Sequence, residues 1–222
     1  MEISLTIICF VVQSTFMVSG TTSLDALQDI KKMMEKSSRF ISLSGWSGIA
    51  AGIFGLAGAY FAQSLLNNYA PEGVMNSGRI RDLEQSLFLL GAAVFIGAFT
   101  SAFIFTYIRS RREGIAIWGT SARRLLWNTM LPMVVGGVVI LRLVASANYD
   151  LIAPCTLIFY GLGVINGSKY TLGEIRYMGY LEVLLGLISL WLPRYGLLMW
   201  AIGFGLLHII YGIIMWWKHE RK

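Results

Sequence analysis

Long apolar segments separated by short polar ones run along most of this chain. After residue 40, charged residues are rare inside six such segments and frequent between them. A helix needs about 20 apolar residues to cross roughly 30 Å of hydrocarbon, and it satisfies its own backbone polar groups. The pattern therefore predicts an all-α fold, a polytopic membrane bundle of six transmembrane helices. The predicted spans are 41–66, 87–108, 125–144, 151–165, 172–192 and 195–217.

Composition agrees with a membrane location. Hydrophobic residues make up 56% of the 222 residues, charged residues make up 14%, and the mean hydropathy is +0.64. A soluble domain of this length could not bury so much apolar surface. We therefore expect a multi-pass membrane protein whose first partner is the lipid bilayer.

The basic residues are distributed unevenly between the two sides that alternate connections define. Of the 18 Lys and Arg residues, 14 lie before the first span, in the second and fourth connections, or in the C-terminal tail. The other four are Arg79, Arg81, Arg142 and Arg194. Because cytoplasmic loops are enriched in Lys and Arg, both termini are predicted to be cytoplasmic. Topology and anionic lipid then account for the net charge of +6, which argues against nucleic acid as a partner.

The first 40 residues divide into two segments. Residues 1–22 form an apolar lead without the basic n-region of a signal peptide, and we expect translation from Met17, with a short membrane-inserted N-terminal helix as the alternative. Residues 23–40 repeat apolar positions at spacings of three and four, which predicts a cytoplasmic amphipathic helix. This helix either leads into the first span or docks a partner or lipid. Residues 41–222 form the predicted transmembrane bundle.

Small residues and prolines predict how the spans pack. Small residues recur at a spacing of four in the first two spans, which predicts close packing within the molecule rather than a dimer seam. They are Ser44, Gly48 and Gly52, then Ala51, Gly55 and Ala59, and then Ala93, Gly97 and Ser101. Pro132 and Pro154 predict bends in the third and fourth spans.

Several classes of catalytic and cofactor site are excluded by the sequence. The two cysteines, Cys9 and Cys155, form no CxxC motif, and His208 and His219 are the only histidines. Two histidines are too few for a histidine-rich di-iron centre or for two bis-histidine haems. The chain also lacks GxSxG, P-loop and HExxH motifs. We therefore assign no catalytic residue, no metal ligand and no cofactor.

The last two spans form a predicted helical hairpin. Thr171 and Glu174 match a capping box, which predicts a helix that begins near residue 172. Residues 193–196 contain proline and glycine and predict a compact turn into the last helix.

Glu182 and His208 are the candidate functional pair. Each stands thirteen residues from position 195, so an antiparallel hairpin places them at the same depth. Ionisable residues inside a span are costly and are usually paired or functional. Arg142, near the outer end of the third span, is a secondary candidate. Glycines at i−3 and i+4 are expected to let the two hairpin backbones approach. They are Gly179, Gly186, Gly205 and Gly212.

Three stretches carry a resemblance to a known group of proteins. They are LIFYGLGVINGSKYTLGEIRY at 157–177, WAIGFGLLHIIYGIIMWWK at 200–218 and, more loosely, IKKMMEKSSRFISLSG at 30–45. On these stretches the chain resembles uncharacterised bacterial six-helix integral membrane proteins, often encoded beside a winged-helix transcription regulator. The resemblance implies a bacterial inner-membrane location and a cytoplasmic regulatory protein as partner. Some members bear a carotene-oxygenase label, which the shortage of histidines here argues against.

Three functions remain open at this point. The first is a non-enzymatic membrane sensor or scaffold for a cytoplasmic regulator. The second is a small-molecule or proton-coupled transporter, and the third is an intramembrane enzyme. Whatever the function, we hypothesise that Glu182 and His208 titrate and gate or couple proton movement. The alternative is a structural contact, or a histidine and a carboxylate bonded to different helices.

Overall fold

The computed structural model describes residues 44–69, 77–114 and 117–221. All the regular structure in these residues is helical, so the all-α prediction is confirmed. Six helices follow one another along this part of the chain. They are α1 (Gly45–Tyr69), α2 (Ser77–Glu113), α3 (Thr120–Ala145), α4 (Ile152–Gly167), α5 (Ile175–Trp191) and α6, which runs from Gly196 to His219.

The last helix, α6, has three parts. It begins as an α-helix at Gly196–Trp200, widens into a π-helical segment at Ala201–Leu207, and continues as an α-helix at His208–His219. A short 3₁₀ turn at Pro193–Tyr195 joins it to α5, in agreement with the predicted compact turn. Short 3₁₀ turns also flank α4, at Tyr149–Leu151 and Ser168–Tyr170.

Five helical segments of the described residues are long and apolar enough to cross a membrane. They are α1, α2, α3, the segment Tyr149–Tyr170 that contains α4, and the segment Pro193–His219 that contains α6. The remaining predicted span corresponds to α5, which has 17 residues. At a rise of 1.5 Å per residue, α5 is about 26 Å long, at the lower limit for a span. The structure therefore supports a multi-pass membrane protein through five candidate spans.

The outer faces of these helices are apolar, as a lipid-facing surface requires. Phe88, Leu131 and Trp127 are 71%, 65% and 72% exposed. Contiguous exposure of large apolar side chains is rare on soluble monomers. Bilayer lipid would cover these faces and remove the cost of their exposure to water.

Glycines set the packing between α1 and α6. A Cβ atom on Gly52 would lie 2.6 Å from the carbonyl oxygen of Gly205, and one on Gly212 would lie 2.6 Å from the backbone nitrogen of Ile49. Gly48 and Gly55 approach α6 in the same way. The small residues of the first span therefore pack within the molecule, as predicted. Helix α1 packs also on α2, while α4 packs between α3 and α5.

One local prediction was wrong. Helix α5 begins at Ile175 rather than near residue 172, and no side chain caps it. The Glu174 carboxylate accepts a hydrogen bond from the Lys218 ammonium. The bends predicted at Pro132 and Pro154 stay predictions. Pro154 lies in the first turn of α4, where the missing N–H would have no helical partner in any case. Pro132 lies inside the continuous helix α3.

The predictions for residues 1–22 and for the amphipathic helix 23–40 lie outside the described residues. The start of the first predicted span, residues 41–43, lies outside them as well.

Candidate functional site

The structure brings Glu182 of α5 and His208 of α6 together inside the bundle. Oε1 of Glu182 lies 3.5 Å from Nδ1 of His208. The Glu182 residue is 0% exposed and His208 is 7% exposed. The equal depth of the two side chains follows from the antiparallel hairpin, in which each stands at the same distance from the turn.

Gly203 provides the space that the Glu182 carboxyl group occupies. A Cβ atom at position 203 would lie 2.5 Å from Oε2 of Glu182 and 2.5 Å from Cδ2 of Leu157. Leu157 of α4 is itself 0% exposed. The carboxyl group is therefore held between α4 and the π-helical segment of α6, in a position that only glycine at 203 leaves open.

Two hydrogen bonds define the tautomer of the His208 ring. Nδ1 lies 3.0 Å from the carbonyl oxygen of Gly203, and Nε2 lies 2.6 Å from the hydroxyl oxygen of Tyr160. Because a carbonyl oxygen only accepts, Nδ1 carries a proton and donates to Gly203. Nε2 of the neutral ring then accepts a hydrogen bond from Tyr160. The ring is thus held at both nitrogens, and Nδ1 also faces Glu182.

The Glu182 carboxyl group has unused hydrogen-bonding capacity. Within the described residues, neither of its oxygens has a hydrogen-bond partner, and both are inaccessible to solvent. The hydroxyl of Ser189, two turns further along α5, is in the same condition and is 0% exposed. Buried polar groups normally have partners, so an unpartnered carboxyl group beside a histidine marks a strained or functional position.

Aromatic rings line the other side of the histidine. The Tyr160 ring centroid is 5.3 Å from that of His208, and the Phe204 ring stacks on His208 with an interplanar angle of 16°. Trp200 lies against Phe204 with 4.9 Å between centroids. These rings give this side of the histidine an apolar surrounding. The polar contact of Nε2 is with the Tyr160 hydroxyl.

Tyr160 and Gly203 were missed by the sequence reasoning. Tyr160 carried a signal that could have been used, because a tyrosine in the middle of an apolar span is far from the interfaces where this residue is enriched. Gly203 carried none. It is one of the 24 glycines of the chain, and only the tertiary contact with Glu182 distinguishes it.

The expectation for the four flanking glycines was wrong. Gly179 and Gly186 of α5 approach α4, where a Cβ atom on each would meet Gly161 and Ile158 respectively. Gly205 and Gly212 of α6 approach α1. The hairpin backbones are thus not drawn together by these residues, because each helix of the pair uses its glycines to pack on a different neighbour.

Arg142 lies apart from the pair. It occupies the last turn of α3, its side chain is exposed, and it forms no ion pair with Glu182. The structure therefore joins Glu182 with His208 and adds Tyr160 to them, while the secondary candidate stays at the end of its helix.

The π-helical segment ends at the residue before His208. Segments of this type are rare, and they occur frequently at functional sites. This one covers Ala201–Leu207 and contains Gly203 and Phe204, both of which contact the histidine. The site is therefore built on a part of α6 whose backbone departs from ordinary α-helical geometry.

The far end of α6 is tied to three other helices. The Glu220 carboxylate, next to the end of α6, accepts a hydrogen bond from the backbone N–H of Gly45 at the start of α1. Its Oε1 also lies 3.0 Å from Nη1 of Arg109 on α2. On another side, Lys218 donates to Glu174 beside α5. This hydrogen bond lowers the pKa of the Glu174 carboxyl group below its usual value. A movement of α6 would therefore change its contacts with all three helices.

Within residues 44–69, 77–114 and 117–221, no group of three His, Cys, Asp or Glu side chains is placed to hold a metal ion. Comparison of the chain with protein-family models, with curated proteins and with solved structures gave no match. The chemistry that the site can perform therefore follows from its geometry. A carboxyl group, an imidazole and a phenol hydroxyl in contact can accept, hold and pass a proton.

Proposed function

We propose that this chain is a non-enzymatic membrane sensor whose Glu182 and His208 side chains bind a proton and change the conformation of α6. The observation that supports this is the Glu182 carboxyl group, which is 0% exposed, lies 3.5 Å from Nδ1 of His208 and has no hydrogen-bond partner within the part of the chain that the structure describes. A carboxylate in an apolar interior is costly unless it is paired, whereas a neutral carboxyl group is tolerated. Gain or loss of one proton here therefore changes the energy of the packed state.

The π-helical segment would convert that change into movement. A π-helix has more residues per turn than an α-helix, so its conversion into α-helix rotates the part of the helix that follows. The part that follows is His208–His219, next to Glu220 with its contacts to Gly45 and Arg109. Protonation inside the bundle would in this way alter the ionic contacts at the end of α6.

The proposed partner binds the molecule at the C-terminal end of α6. Lys218 and Arg221 are exposed basic residues at the end of α6. The positive-inside rule places them in the cytoplasm, where a regulatory protein could bind them. This location in a bacterial inner membrane, with both termini inside, is part of the proposal.

The topology has a direct test. We expect reporters inserted near Glu113 or fused after Lys222 to give a cytoplasmic signal, and one near Gly73 to give a periplasmic signal, because the basic residues divide 14 to 4. The measurement is a paired alkaline phosphatase and green fluorescent protein fusion at each site. Reversed signals at Gly73 and Glu113 would contradict the orientation.

The sensor proposal predicts a pH response that depends on Glu182. One proton bound by only one of two states changes their free-energy difference by about 1.4 kcal/mol per pH unit. At roughly 2–4 °C per kcal/mol, the thermal midpoint of the wild type should fall by about 3 °C or more from pH 5 to pH 8, because loss of the proton leaves a charged carboxylate in the apolar interior. We expect Glu182→Gln and His208→Gln each to remove at least half of this change, as measured by intrinsic tryptophan fluorescence in nanodiscs.

The matched control is Asp82→Asn, which converts an exposed carboxylate into an amide on α2. It should retain the wild-type response. Hydrogen exchange of α6, measured over the same pH range, should change in the wild type and in Asp82→Asn only. A wild-type pH response in both Glu182→Gln and His208→Gln would refute the sensor proposal.

Proton-coupled transport is the second candidate, and Ser189 favours it. Its buried hydroxyl, which has no hydrogen-bond partner among the described residues, lies two turns from Glu182 on the same helix, toward the Pro193–Tyr195 turn. A path for protons from one end of the bundle would use such groups. Proteoliposomes with a trapped pH dye distinguish the two functions, since a transporter moves protons across the bilayer and a sensor does not.

A further inference from the structure

A groove on the outer surface of the bundle lies between α3 and α4. Its volume is about 450 Å³. Leu131 and Val135 of α3 and Phe159 and Leu162 of α4 form its apolar part, and Asn166 and Lys169 form one end. Leu131, Val135 and Leu162 are 65%, 48% and 42% exposed, so the groove opens away from the bundle.

The groove has a second cation besides Lys169. The row of α3 residues that lines the groove extends along the helix to Arg124. Positions 124, 128, 131 and 135 recur at spacings of four, three and four, which places them on one face of α3. Asn128 lies at the level of Asn166, because Nδ2 of Asn166 donates to its carbonyl oxygen at 2.9 Å. Arg124 is one turn beyond Asn128, and Lys169 is about one turn beyond Asn166 in the 3₁₀ turn after α4. Both cations therefore stand at the same end of the groove.

Neither cation has an acidic partner among the described residues. Arg124 and Lys169 are both exposed, and neither forms an ion pair there. Trp127, 72% exposed, lies between Arg124 and Leu131 on the helix surface. An exposed tryptophan beside basic residues is typical of the headgroup level of a bilayer.

We propose that this groove binds one anionic phospholipid. An acyl chain lies along Leu131, Val135, Phe159 and Leu162, and the headgroup phosphate is bound by Arg124 and Lys169. The occupant is an anionic lipid because the groove combines an apolar length with a single end that carries two positive charges, neither of which has an acidic partner among the described residues. Basic pockets between membrane helices recognise anionic headgroups in this way. This site is separate from Glu182 and His208, and its existence does not depend on the proposed function.

The test uses the purified full-length chain in detergent, titrated with dioleoylphosphatidylglycerol or with dioleoylphosphatidylcholine. Binding is counted by native mass spectrometry, and the thermal midpoint is followed in parallel. We expect the anionic lipid to bind more tightly and to raise the midpoint. In Arg124→Gln/Lys169→Gln the apparent affinity for phosphatidylglycerol should fall about thirtyfold, which corresponds to about fivefold for each cation.

Two further variants distinguish binding in the groove from nonspecific electrostatic attraction of the anionic lipid to the basic protein. Arg111→Gln/Arg112→Gln removes two cations from the last turn of α2, away from the groove, and should bind phosphatidylglycerol within about threefold of the wild type. Leu162→Trp keeps every charge but fills the groove, and it should lose the bound lipid. Its unchanged midpoint in phosphatidylcholine would show that it is folded.

Three results would overturn the proposal. The first is an equal loss of affinity in the two double variants, since the lipid would then be held by nonspecific electrostatic attraction rather than by the groove. The second is retention of the lipid by Leu162→Trp. The third is a change in oligomeric mass in Leu162→Trp without any lipid preference in the wild type, which would assign the groove to a second copy of the chain.

Discussion

Gly212→Leu is expected to cause the largest loss of stability of any single substitution considered for this protein. The new side chain would begin 2.6 Å from the backbone nitrogen of Ile49 and 2.7 Å from the carbonyl oxygen of Gly45. Backbone atoms cannot rotate away, so α1 and α6 must separate. Overpacking costs up to about 3 kcal/mol and occasionally more. At roughly 2–4 °C per kcal/mol the thermal midpoint should fall by about 6–12 °C, measured by tryptophan fluorescence in detergent.

Gly91→Leu is the matched control for this substitution. Gly91 is an exposed helical glycine of α2, and a Cβ atom there would meet nothing within 4 Å. The same change in side chain should therefore leave the midpoint within about 2 °C of the wild type. An equal decrease in both variants would show that leucine itself, rather than the contact of α1 with α6, is responsible.

Gly203→Ala is expected to be strongly destabilising in the wild type and much less so when Glu182 is shortened. The added methyl group would lie 2.5 Å from Oε2 of Glu182. In Glu182→Ala that oxygen is absent. The Leu157 side chain, whose Cδ2 also lies 2.5 Å from the new methyl group, then has vacated space to move into. We expect a cost of about 1–3 kcal/mol for the single substitution and a coupling energy of about 1 kcal/mol or more. The coupling energy is obtained from a double-mutant cycle, which compares the thermal midpoints of the wild type, both single variants and the double variant.

Gly205→Ala provides the control glycine for the cycle, since it lies in the same π-helical segment. Its methyl group would meet the Leu56 side chain of α1 and not Glu182. It should destabilise the wild type and Glu182→Ala by the same amount. A coupling energy near zero for Gly203 with Glu182, or one equal to that of Gly205 with Glu182, would contradict the placement of the carboxyl group.

The candidate site was only partly predictable, and the reason is geometric. The sequence spacing alone placed Glu182 and His208 at one depth, because an antiparallel hairpin has a register that its turn defines. Spacing within two helices carries no information on a third helix, so Tyr160 of α4 was missed. For the same reason, the glycines around Glu182 and His208 were expected to face each other, whereas they face α4 and α1.

The sequence by itself determined the helical class, the approximate positions of the six apolar helices and the turn between α5 and α6. These features depend on local hydrophobicity, on the length of each apolar segment and on the positions of proline and glycine. All three are properties of the sequence before the helices pack. Only the tertiary structure decided which helices pack together, that Gly203 makes room for a buried carboxyl group, and that α6 becomes π-helical before His208. These features depend on the fit of side chains between helices distant in sequence. Because the apolar faces of the helices are similar in composition, the sequence of each face does not determine which helix it packs against.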